Sequence, residues 1–511
     1  MGALPSGWDL LMVTVLLTPI SAAVLVGASR RVRLAEVATV VSAALVAIQA
    51  AGLMAGVVAE ARLAAFGDFF SLDALGALIL IPIAGVGLVT ALYSVNYMRR
   101  QHERGIVDDR HLVRYYAGFN VFMLTMLVVP LANNTGLMWV AIEATTLVSV
   151  FLIMLYTTEG AIEAAWKYLI VATVGLSLAL FGIVLFSYAL SQASPSAASS
   201  GTAMDWTLMA TYARSLDPAV VRVAYVFVLV GLGTKAGLAP MHTWLPDAHG
   251  EAPTPMSALL SGVLLNCAIY GILRFNIVAS STLGRGFPDA LLIGLGLLSM
   301  GVAACSIYFS RDMKRMLAYS SVEHMGIISI AVGFGGLGLF AALLHIINHA
   351  TAKPLMFFAS GKVSQRYDTK VMADIRGVVR TMPLTAMLML IGGLAMAGLP
   401  PFNIFLSELL VLTAGFGSGQ IVATTLMMLF LALVFAGFLR HLVSMSFGSP
   451  KATGRVVPDL PLAGHGDSGP LAIVPMAILA VVVVVLGFYV PQPLQTLVHA
   501  AARVLGQGST P

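Results

Sequence analysis

The sequence is poor in charge and in cysteine, and both shortages narrow the class of protein. Only 10% of its 511 residues are charged, whereas an ordinary soluble domain has about 25%. Cys267 and Cys305 are the only two cysteines, and neither belongs to a CxxC pair or to a Cys/His spacing that binds zinc or an iron–sulfur cluster. We therefore expect no metal and no cofactor, and we expect any electron transfer to take place in another protein.

Motifs that bind nucleotides are also missing. No GxGxxG lies in a strand–turn–helix context, and no phosphate-binding glycine-rich loop with a following Lys-Ser/Thr is present. The net charge of +5 comes from an asymmetry between loops and not from a basic surface. These absences argue against nucleotide-driven pumping by this chain alone and give no indication of nucleic-acid binding.

Long apolar runs dominate what is present. Hydrophobic residues make up 59% of the chain, and the mean hydropathy is +0.93. A helix needs about 20 residues to cross a hydrocarbon core roughly 30 Å thick, and about fourteen segments meet that requirement. The sequence therefore predicts an all-α polytopic membrane protein. The segments centre near residues 18, 46, 86, 122, 146, 176, 228, 265, 298, 325, 348, 390 to 410, 432 and 480.

Basic residues set the predicted orientation. The first apolar run is followed by Arg30, Arg31 and Arg33 and not by a small-residue cleavage site, so we interpret it as a retained helix and not as a signal peptide. Arginine and lysine also gather in the loops after predicted helices 3, 9, 11 and 13, and short cytoplasmic loops are enriched in such residues. We therefore expect a multi-pass protein of a prokaryotic inner (plasma) membrane, with both termini on the non-cytoplasmic side.

Ionisable residues inside the predicted helices are the candidates for function, because a charge in hydrocarbon costs several kcal/mol and is usually paired. Lys235 ends the apolar run VAYVFVLVGLG and is closely followed by prolines 240, 246, 253 and 255. Proline cannot continue a regular helix, so predicted helix 7 must end or break beside this lysine. The polar candidates of the first half are Glu143, Lys167, Lys235, His242, His249 and Asn266.

The second half repeats the pattern with different chemistry. His345, His349 and Lys353 are spaced four apart, which places them on one face of predicted helix 11 with about 6 Å between neighbours. Such a row can pass protons when water lies between its members. Pro400 and Pro401 break predicted helix 12. The candidates of this half are Glu323, His324, His345, His349, Lys353 and Glu408.

Two proline-broken helices, each beside one buried charge, indicate an internal duplication. Transporters often place ion sites at such discontinuous helices near the midplane of the membrane. We interpret helices 4–8 and helices 9–13 as the two units. The predicted ranges are 1–111 for N-terminal helices 1–3, 112–276 for a first half-channel, 288–445 for a second, and 446–511 for a C-terminal loop and helix 14.

Several strings resemble one family of membrane subunits. KAGLAPMHTWLPDAHGEAPTPMSALLSG, together with Glu143 and with FLSE in a broken helix, resembles the antiporter-like proton-channel subunits of respiratory complex I, Mrp antiporters and membrane-bound hydrogenases. LLNCAIYGILR, LAYSSVEHMGII and LHIINHATAKPLMFF are most similar to the F component of hydrogenase-4. The resemblance spans helices 4–13 and implies fourteen helices with two inverted five-helix repeats. It also implies other membrane and peripheral subunits as partners, the lipid bilayer as surroundings, and protons or sodium as the transported ion.

The resemblance implies roles for the candidates as well. Glu143 and Lys235 would be the paired acid and base of the first half-channel, and Glu408 the terminal group of the second. Many relatives carry a lysine where this sequence has Asn266, so the central link would fall to water, Glu323, His324 and the helix 11 row. The expected function is a non-catalytic, proton-translocating subunit of a redox-driven oxidoreductase complex. The alternatives are an Mrp-type cation/proton antiporter module and an energising subunit of an inorganic-carbon uptake system.

Each candidate also has a purely structural interpretation. Glu143 and Lys235 can form a static ion pair that fixes helix packing, and Lys167 can extend its amine to the membrane interface. His345 and His349 can bind backbone carbonyls as packing residues, and a bis-histidine haem is a less favoured alternative. The same applies near the turn after helix 7, where His242 and His249 can simply solvate the chain.

Overall fold

The computed structural model describes residues 7–449, 467 and 469–506, and in these residues the chain is a bundle of long helices. Twelve of the described helices are long and apolar enough to cross a membrane. The prediction of an all-α polytopic membrane protein is therefore confirmed. Most of the predicted C-terminal loop, residues 450–466 and 468, lies outside the described residues.

The first half of the chain begins its helices at side chains that cap the free backbone amides of the first turn. Such caps precede α3, α4, α5, α6 and α9, where the acceptors are Asp73, Asp108, Asn134, Thr158 and Asp217. The helices are α1 (Gly7–Ser29), α2 (Val32–Glu60), α3 (Ala74–Glu103), α4 (Asp109–Leu131), α5 (Thr135–Ile153), α6 (Glu159–Ala193), α7 (Pro195–Ser199), α8 (Trp206–Thr211), α9 (Pro218–Ala236), α10 (Trp244–Glu251), α11 (Thr254–Leu259) and α12 (Leu265–Leu283).

A small hairpin and a π-helical segment interrupt this order. The strands β1 (Arg62–Ala65) and β2 (Phe70–Asp73) pair antiparallel between α2 and α3. Residues Leu260–Leu264 form a π-helix that joins α11 to α12, so predicted helix 8 is one run over Thr254–Leu283. A π-helical turn widens a helix locally and is frequent at functional sites.

The second half contains the other broken helix. Its helices are α13 (Gly286–Phe309), α14 (Met313–Phe334), α15 (Leu337–Tyr367), α16 (Val378–Thr381), α17 (Pro383–Met396), α18 (Asn403–Gly417), α19 (Ile421–Phe447), α20 (Pro470–Phe488) and α21 (Gln492–Gly506). The 31-residue α15 and the short α17 and α18 are not among the twelve membrane-length apolar helices. The predicted fourteen crossings correspond to those twelve, α15, and the pair α17–α18, and the exact count and the division into two half-channels stay predictions.

Both predicted helix breaks are confirmed. The first helix, α9, ends at Ala236, where Gly237 takes a left-handed conformation with φ of 78°, and the chain resumes helical structure at α10. The second break separates α17 from α18, and Gly398 is left-handed there with φ of 68°. A side chain donates a hydrogen bond to a backbone carbonyl beside each break. At the first break Trp244 Nε1 donates to Thr234 O at 2.8 Å, and at the second Asn348 Nδ2 donates to Asn403 O at 2.7 Å.

The helices that carry several of the buried polar candidates lie at the centre of the bundle, whereas α1 and α19 lie at its outside. The run Thr254–Leu283 is completely buried over its membrane-length window and α14 is 94% buried, whereas α1 and α19 are each only 33% buried. Arginines collect where α1, α3, α13 and α19 end, and we call this end of the bundle the arginine-rich face. Its members include Arg30, Arg104, Arg311, Arg376 and Arg440.

Candidate functional site

Lys235 lies in the last turn of α9 and is completely buried. Its ammonium donates to Thr146 Oγ1 of α5 at 2.7 Å and to Tyr168 OH of α6 at 2.6 Å. Ser149 Oγ lies 2.8 Å from Tyr168 OH and itself donates to the carbonyl of Thr145, so the tyrosine hydroxyl donates to Ser149. Neutral oxygens from two neighbouring helices therefore hold the amine beside the helix break.

Glu143 stands apart from Lys235. It is half-buried on α5, and its Oε1 accepts a hydrogen bond from Thr173 Oγ1 of α6 at 3.0 Å. Its Oε2 is buried without a hydrogen-bond partner. Among the ion pairs of the described residues, with a limit of 4.0 Å, none joins Glu143 to Lys235. The static ion pair that was the structural alternative for these two residues is thus not formed in this structure.

Lys167 belongs to the surface and not to the buried set. Its amine lies 2.5 Å from Glu163 Oε1 and 3.4 Å from Asp247 Oδ2. Asp247 also pairs with Arg315 of α14. This exposed network agrees with the interpretation in which the amine of Lys167 extends to the membrane interface.

The centre of the bundle has Asn266 at the start of α12. Its Nδ2 donates to Gly262 O in the π-helix at 2.9 Å, and its Oδ1 is buried without a partner. One turn earlier, the hydroxyls of Ser261 and Ser321 lie 2.6 Å apart and join the π-helix to α14. Helix 8 therefore brings hydroxyl and amide groups to the centre but no titratable side chain at Asn266.

Two histidines and a serine form a continuous hydrogen-bonded chain between α14, α15 and α18. Nδ1 of His324 lies 2.9 Å from Nε2 of His345, and Nδ1 of His345 lies 2.9 Å from Ser407 Oγ. Ser407 uses its own proton on Ile404 O at 2.9 Å. For neutral imidazoles this fixes the tautomers, because His345 must donate to Ser407 and must accept from His324. Nε2 of His324 is then a buried lone pair without a hydrogen-bond partner among the described residues.

His349 and Lys353, the other members of the row, and Glu323 of α14 lie close by. His349 is completely buried, neither of its ring nitrogens has a hydrogen-bond partner, and its ring centroid is 5.1 Å from that of His324. Lys353 donates to Leu317 O at 2.7 Å and to Ser320 Oγ. Glu323 is also buried, and its Oε2 has no partner. The predicted face of α15 is therefore present and is directed toward α14.

Glu408 sits against the second helix break. It is 6% exposed on α18, and a Cβ atom at Gly398 would collide with its carboxylate. The left-handed backbone of Gly398 favours glycine at this position. The carboxylate of Glu408 thus lies at the break between α17 and α18.

The two histidines after α9 have different surroundings. His242 is nearly buried, with its ring centroid 6.2 Å from that of Tyr319, and its Nδ1 has no partner. His249 of α10 is completely buried, stacks on Phe357 of α15 at 5.3 Å, and has no partner on either ring nitrogen. Since bulk solvent does not reach His249, solvation of the turn does not account for it. The structure places it between the first broken helix and α15.

Several polar residues of the site carried no recognisable signal in the sequence. Serine and threonine are common in membrane helices, and the sequence gives no indication of which helix a hydroxyl faces. A charged neighbour was the only available hint, since Thr146 lies one turn from Glu143 and Ser407 directly precedes Glu408. The residues missed in this way are Thr146, Ser149, Tyr168, Ser320, Asn348 and Ser407.

A polar cavity of about 410 Å³ opens on the arginine-rich face near the end of α10. Lys314 borders it and is 3% exposed, with its ammonium donating to Ala252 O at 2.5 Å. Lys370 donates to Gly250 O at 2.7 Å from the same side. The cavity therefore borders the end of α10, with two lysines on its wall.

These features define the class of protein to which the chain belongs. The chain is a polytopic membrane protein in which two broken helices enclose a buried set of lysine, glutamate and histidine side chains, and such buried charges mark ion pathways. A family profile described as NADH:quinone oxidoreductase/Mrp antiporter, transmembrane, matches residues 132–435. The chain belongs to this family.

Individual relatives agree with that assignment. A hydrogenase-4 component F homolog of Methylacidiphilum infernorum (isolate V4) is 40% identical over 428 residues, covering 83% of this chain and 86% of the relative. The chain spans about half the length of several other curated relatives that it matches.

Solved structures share the whole fold. A chain of the membrane-bound sulfane sulfur reductase, an archaeal respiratory membrane complex, superposes with a TM-score of 0.84 at 25% identity, covering 98% of both chains. A chain of the Mrp complex from Dietzia sp. DQ12-45-1b gives a TM-score of 0.83 at 21% identity, with 98% and 97% coverage.

Proposed function

We propose that this protein moves protons across the membrane as a non-catalytic subunit of a redox-driven complex similar to hydrogenase-4 or respiratory complex I. The observation that carries the proposal is the chain from His324 through His345 to Ser407. A proton that arrives at the free Nε2 of His324 can be passed on, because His324 then releases its Nδ1 proton to His345 and His345 releases its own Nδ1 proton to Ser407 Oγ. The serine hydroxyl must at the same time turn from Ile404 O and give its original proton to a water molecule, which completes the transfer. Ser407, the last member of this hydrogen-bonded row, directly precedes Glu408 in the sequence, and water would carry the proton from one to the other.

Lys235 is the loading group in this proposal. Two neutral oxygens hold its amine, so the charge on the amine depends on weak partners and responds to any charge placed nearby. Moving one charge across 100 mV takes about 2.3 kcal/mol. A change of about two pKa units in a group's proton affinity is worth roughly 2.7 kcal/mol and is sufficient in scale.

Glu143 acts on Lys235 from a distance in this proposal. Its neighbours one turn away on α5, Val140 and Leu147, are 53% and 51% exposed, so this face is open to a neighbouring subunit. A charge on that subunit would interact first with Glu143 and, through Glu143, with Lys235. This gives the pair a coupling role without the static contact of an ion pair.

Water must complete the route between the halves. Asn266 binds water through its free Oδ1 but does not titrate. His249, Lys353 and Glu323 supply the titratable groups between the first break and the histidine chain. Lys167 and His242 have access roles near the arginine-rich face. In this proposal protons are the transported ion, and the two half-channels, residues 112–276 and 288–445, contain the side chains that carry them.

The assembly and orientation complete the proposal. We place the protein in a prokaryotic inner membrane with the arginine-rich face in the cytoplasm, which follows from the distribution of basic residues. Partner membrane and peripheral subunits supply the redox chemistry. The second candidate function, a subunit of an Mrp-type cation/proton antiporter that also exchanges sodium, is supported by the likeness to the Mrp complex chain.

Proton uptake by proteoliposomes of the intact complex tests the proposal. We expect Lys235→Ala to abolish uptake and Arg222→Ala, an exposed basic residue of the same helix α9, to retain it. Assembly of each variant is checked by the subunit content of the purified complex. Uptake at the wild-type rate by an assembled Lys235→Ala complex would contradict the role of this lysine, and sodium-dependent uptake would favour the antiporter.

A further inference from the structure

A second cavity on the arginine-rich face lies far from the buried groups, on the outside of the second half. It has a volume of about 390 Å³ and is formed by the end of α13, the chain before α16 and the end of α19. The two helices meet closely here, since a Cβ atom at Gly437 of α19 would lie 3.2 Å from the Cα atom of Tyr308. The cavity is therefore a built feature at a tight helix junction.

Positive side chains line this cavity without a carboxylate. Arg311, Arg376 and Arg440 contribute guanidinium groups, and His441 adds an imidazole. Tyr308 orients one of them, because the guanidinium carbon of Arg440 lies 5.3 Å from the centroid of its ring. Among the described residues, the ion pairs of the arginine-rich face involve other arginines. Those pairs are Arg99–Glu36, Arg104–Asp368 and Arg315–Asp247.

The rim of the cavity is apolar on the side that faces away from the bundle. Phe309 is 77% exposed, Phe447 is 59% exposed and Val443 is 45% exposed. The helices that carry them, α13 and α19, are membrane-length and mostly unburied. Three guanidinium groups that form no ion pair within the described part of the chain thus lie directly next to a lipid-facing surface.

We propose that this cavity binds the phosphate of an anionic phospholipid headgroup. Guanidinium groups bind phosphate through paired hydrogen bonds and keep their charge at all relevant pH values. The acyl chains lie over Phe309, Val443 and Phe447. A free phosphate ion cannot make this contact, so the contact distinguishes the two ligands. Basic pockets at membrane helix ends are a known mode of headgroup recognition.

Lipid titration followed by native mass spectrometry tests the site on the delipidated complex in detergent. The probes are phosphatidylglycerol and phosphatidylcholine with the same acyl chains. Because each basic residue at a membrane surface contributes about 1 kcal/mol, the change to glutamine at Arg311, Arg376 or Arg440 should weaken phosphatidylglycerol binding about fivefold each. Phosphatidylcholine binding should be weak and unchanged. The matched control is Arg380→Gln, an arginine of α16 outside the cavity.

The glutamine and lysine variants and the phosphate competition test whether the cavity binds a phospholipid. Arg440→Lys keeps the charge and should keep most of the affinity, which guards against loss through misfolding. Wild-type phosphatidylglycerol affinity in the triple glutamine variant, or an equal loss in Arg380→Gln, would overturn the proposal. Displacement of the lipid by millimolar inorganic phosphate would assign the cavity to a free anion. Failure of the wild-type complex to bind phosphatidylglycerol would assign the surface to a partner subunit.

Discussion

The first helix break carries a buried lysine and the second a buried glutamate, and the difference between their surroundings separates two tasks. At the first break Lys235 donates only to neutral oxygens of α5 and α6. At the second break Glu408 lies against Gly398, and the histidine–serine chain ends one residue away. Hydroxyl groups that bind an ammonium do not readily take its proton, whereas imidazoles do. The first break is suited to holding a proton and the second to receiving one.

The surroundings of Lys353 resemble those of Lys235 more than those of His345 on the same helix. Both amines are completely buried, and both donate to neutral acceptors only, a hydroxyl pair for Lys235 and a carbonyl with a hydroxyl for Lys353. Between Lys353 and the second break, His345 instead bonds to His324 and Ser407. In the proposed route, Lys235 and Lys353 thus precede the histidines and Glu408 follows them.

After Lys235→Ala, the largest effect within this comparison is expected at the second break. Glu408→Gln removes the titratable group but keeps the shape, so a proton leaving Ser407 has no acceptor. We expect proton uptake by the reconstituted complex to fall by about a hundredfold or more, the usual contribution of a positioned proton-transfer group. Glu163→Gln, an exposed glutamate of α6, is the control and should leave uptake unchanged.

A Glu408→Gln complex that assembles and takes up protons at the wild-type rate would remove the second break from the route. The proton would then have to leave the histidine chain in another direction. In that case Glu323, whose Oε2 is also buried without a partner, becomes the carboxylate to change next.

A smaller effect is expected when the histidine chain is opened. His345→Ala removes the residue that bonds both His324 and Ser407, whereas His349→Ala removes one without a hydrogen-bond partner. Water can partly replace a missing relay group. We therefore expect His345→Ala to slow proton uptake about tenfold or more and His349→Ala to slow it less.

The same liposome assay measures both histidine variants, with assembly checked in each. Equal and unimpaired uptake in the two single variants and in the double variant would show that α15 uses its histidines for packing only. A larger defect in His349→Ala than in His345→Ala would mean that the route runs through water beside His349 and not through the bonded chain.

The sequence predicted the fold and the charged members of the site, and it failed on their partners. Apolar runs of membrane length and the prolines around 240 to 255 and 400 to 401 are local signals, so the helices and both breaks could be located. The partners of Lys235 come from α5 and α6, more than sixty residues away. Such contacts depend on the rotation of each helix about its axis, which no short pattern fixes. For the same reason the sequence could not show whether Glu143 and Lys235 are in direct contact, and in the structure they form no ion pair.

The smallest effect should appear when the first break loses one of its two acceptors. Tyr168→Phe removes a hydroxyl that accepts from Lys235 at 2.6 Å but keeps the ring, which lies 4.8 Å from the ammonium. A hydrogen bond to a charged group contributes about 1.5–3 kcal/mol, and Thr146 with a newly admitted water can replace part of it. We expect proton uptake to slow several-fold and not to stop.

Tyr188→Phe is the matched control for this change, because Tyr188 is on the same helix but 53% exposed. The double variant Tyr168→Phe with Thr146→Val should be much slower than the product of the single effects, since the two hydroxyls serve one amine and each compensates for the other. Strictly multiplicative effects on uptake would mean that the two hydroxyls act separately. Groups other than these two hydroxyls would then hold Lys235. The first helix break would no longer differ from the second by holding a proton through neutral oxygens.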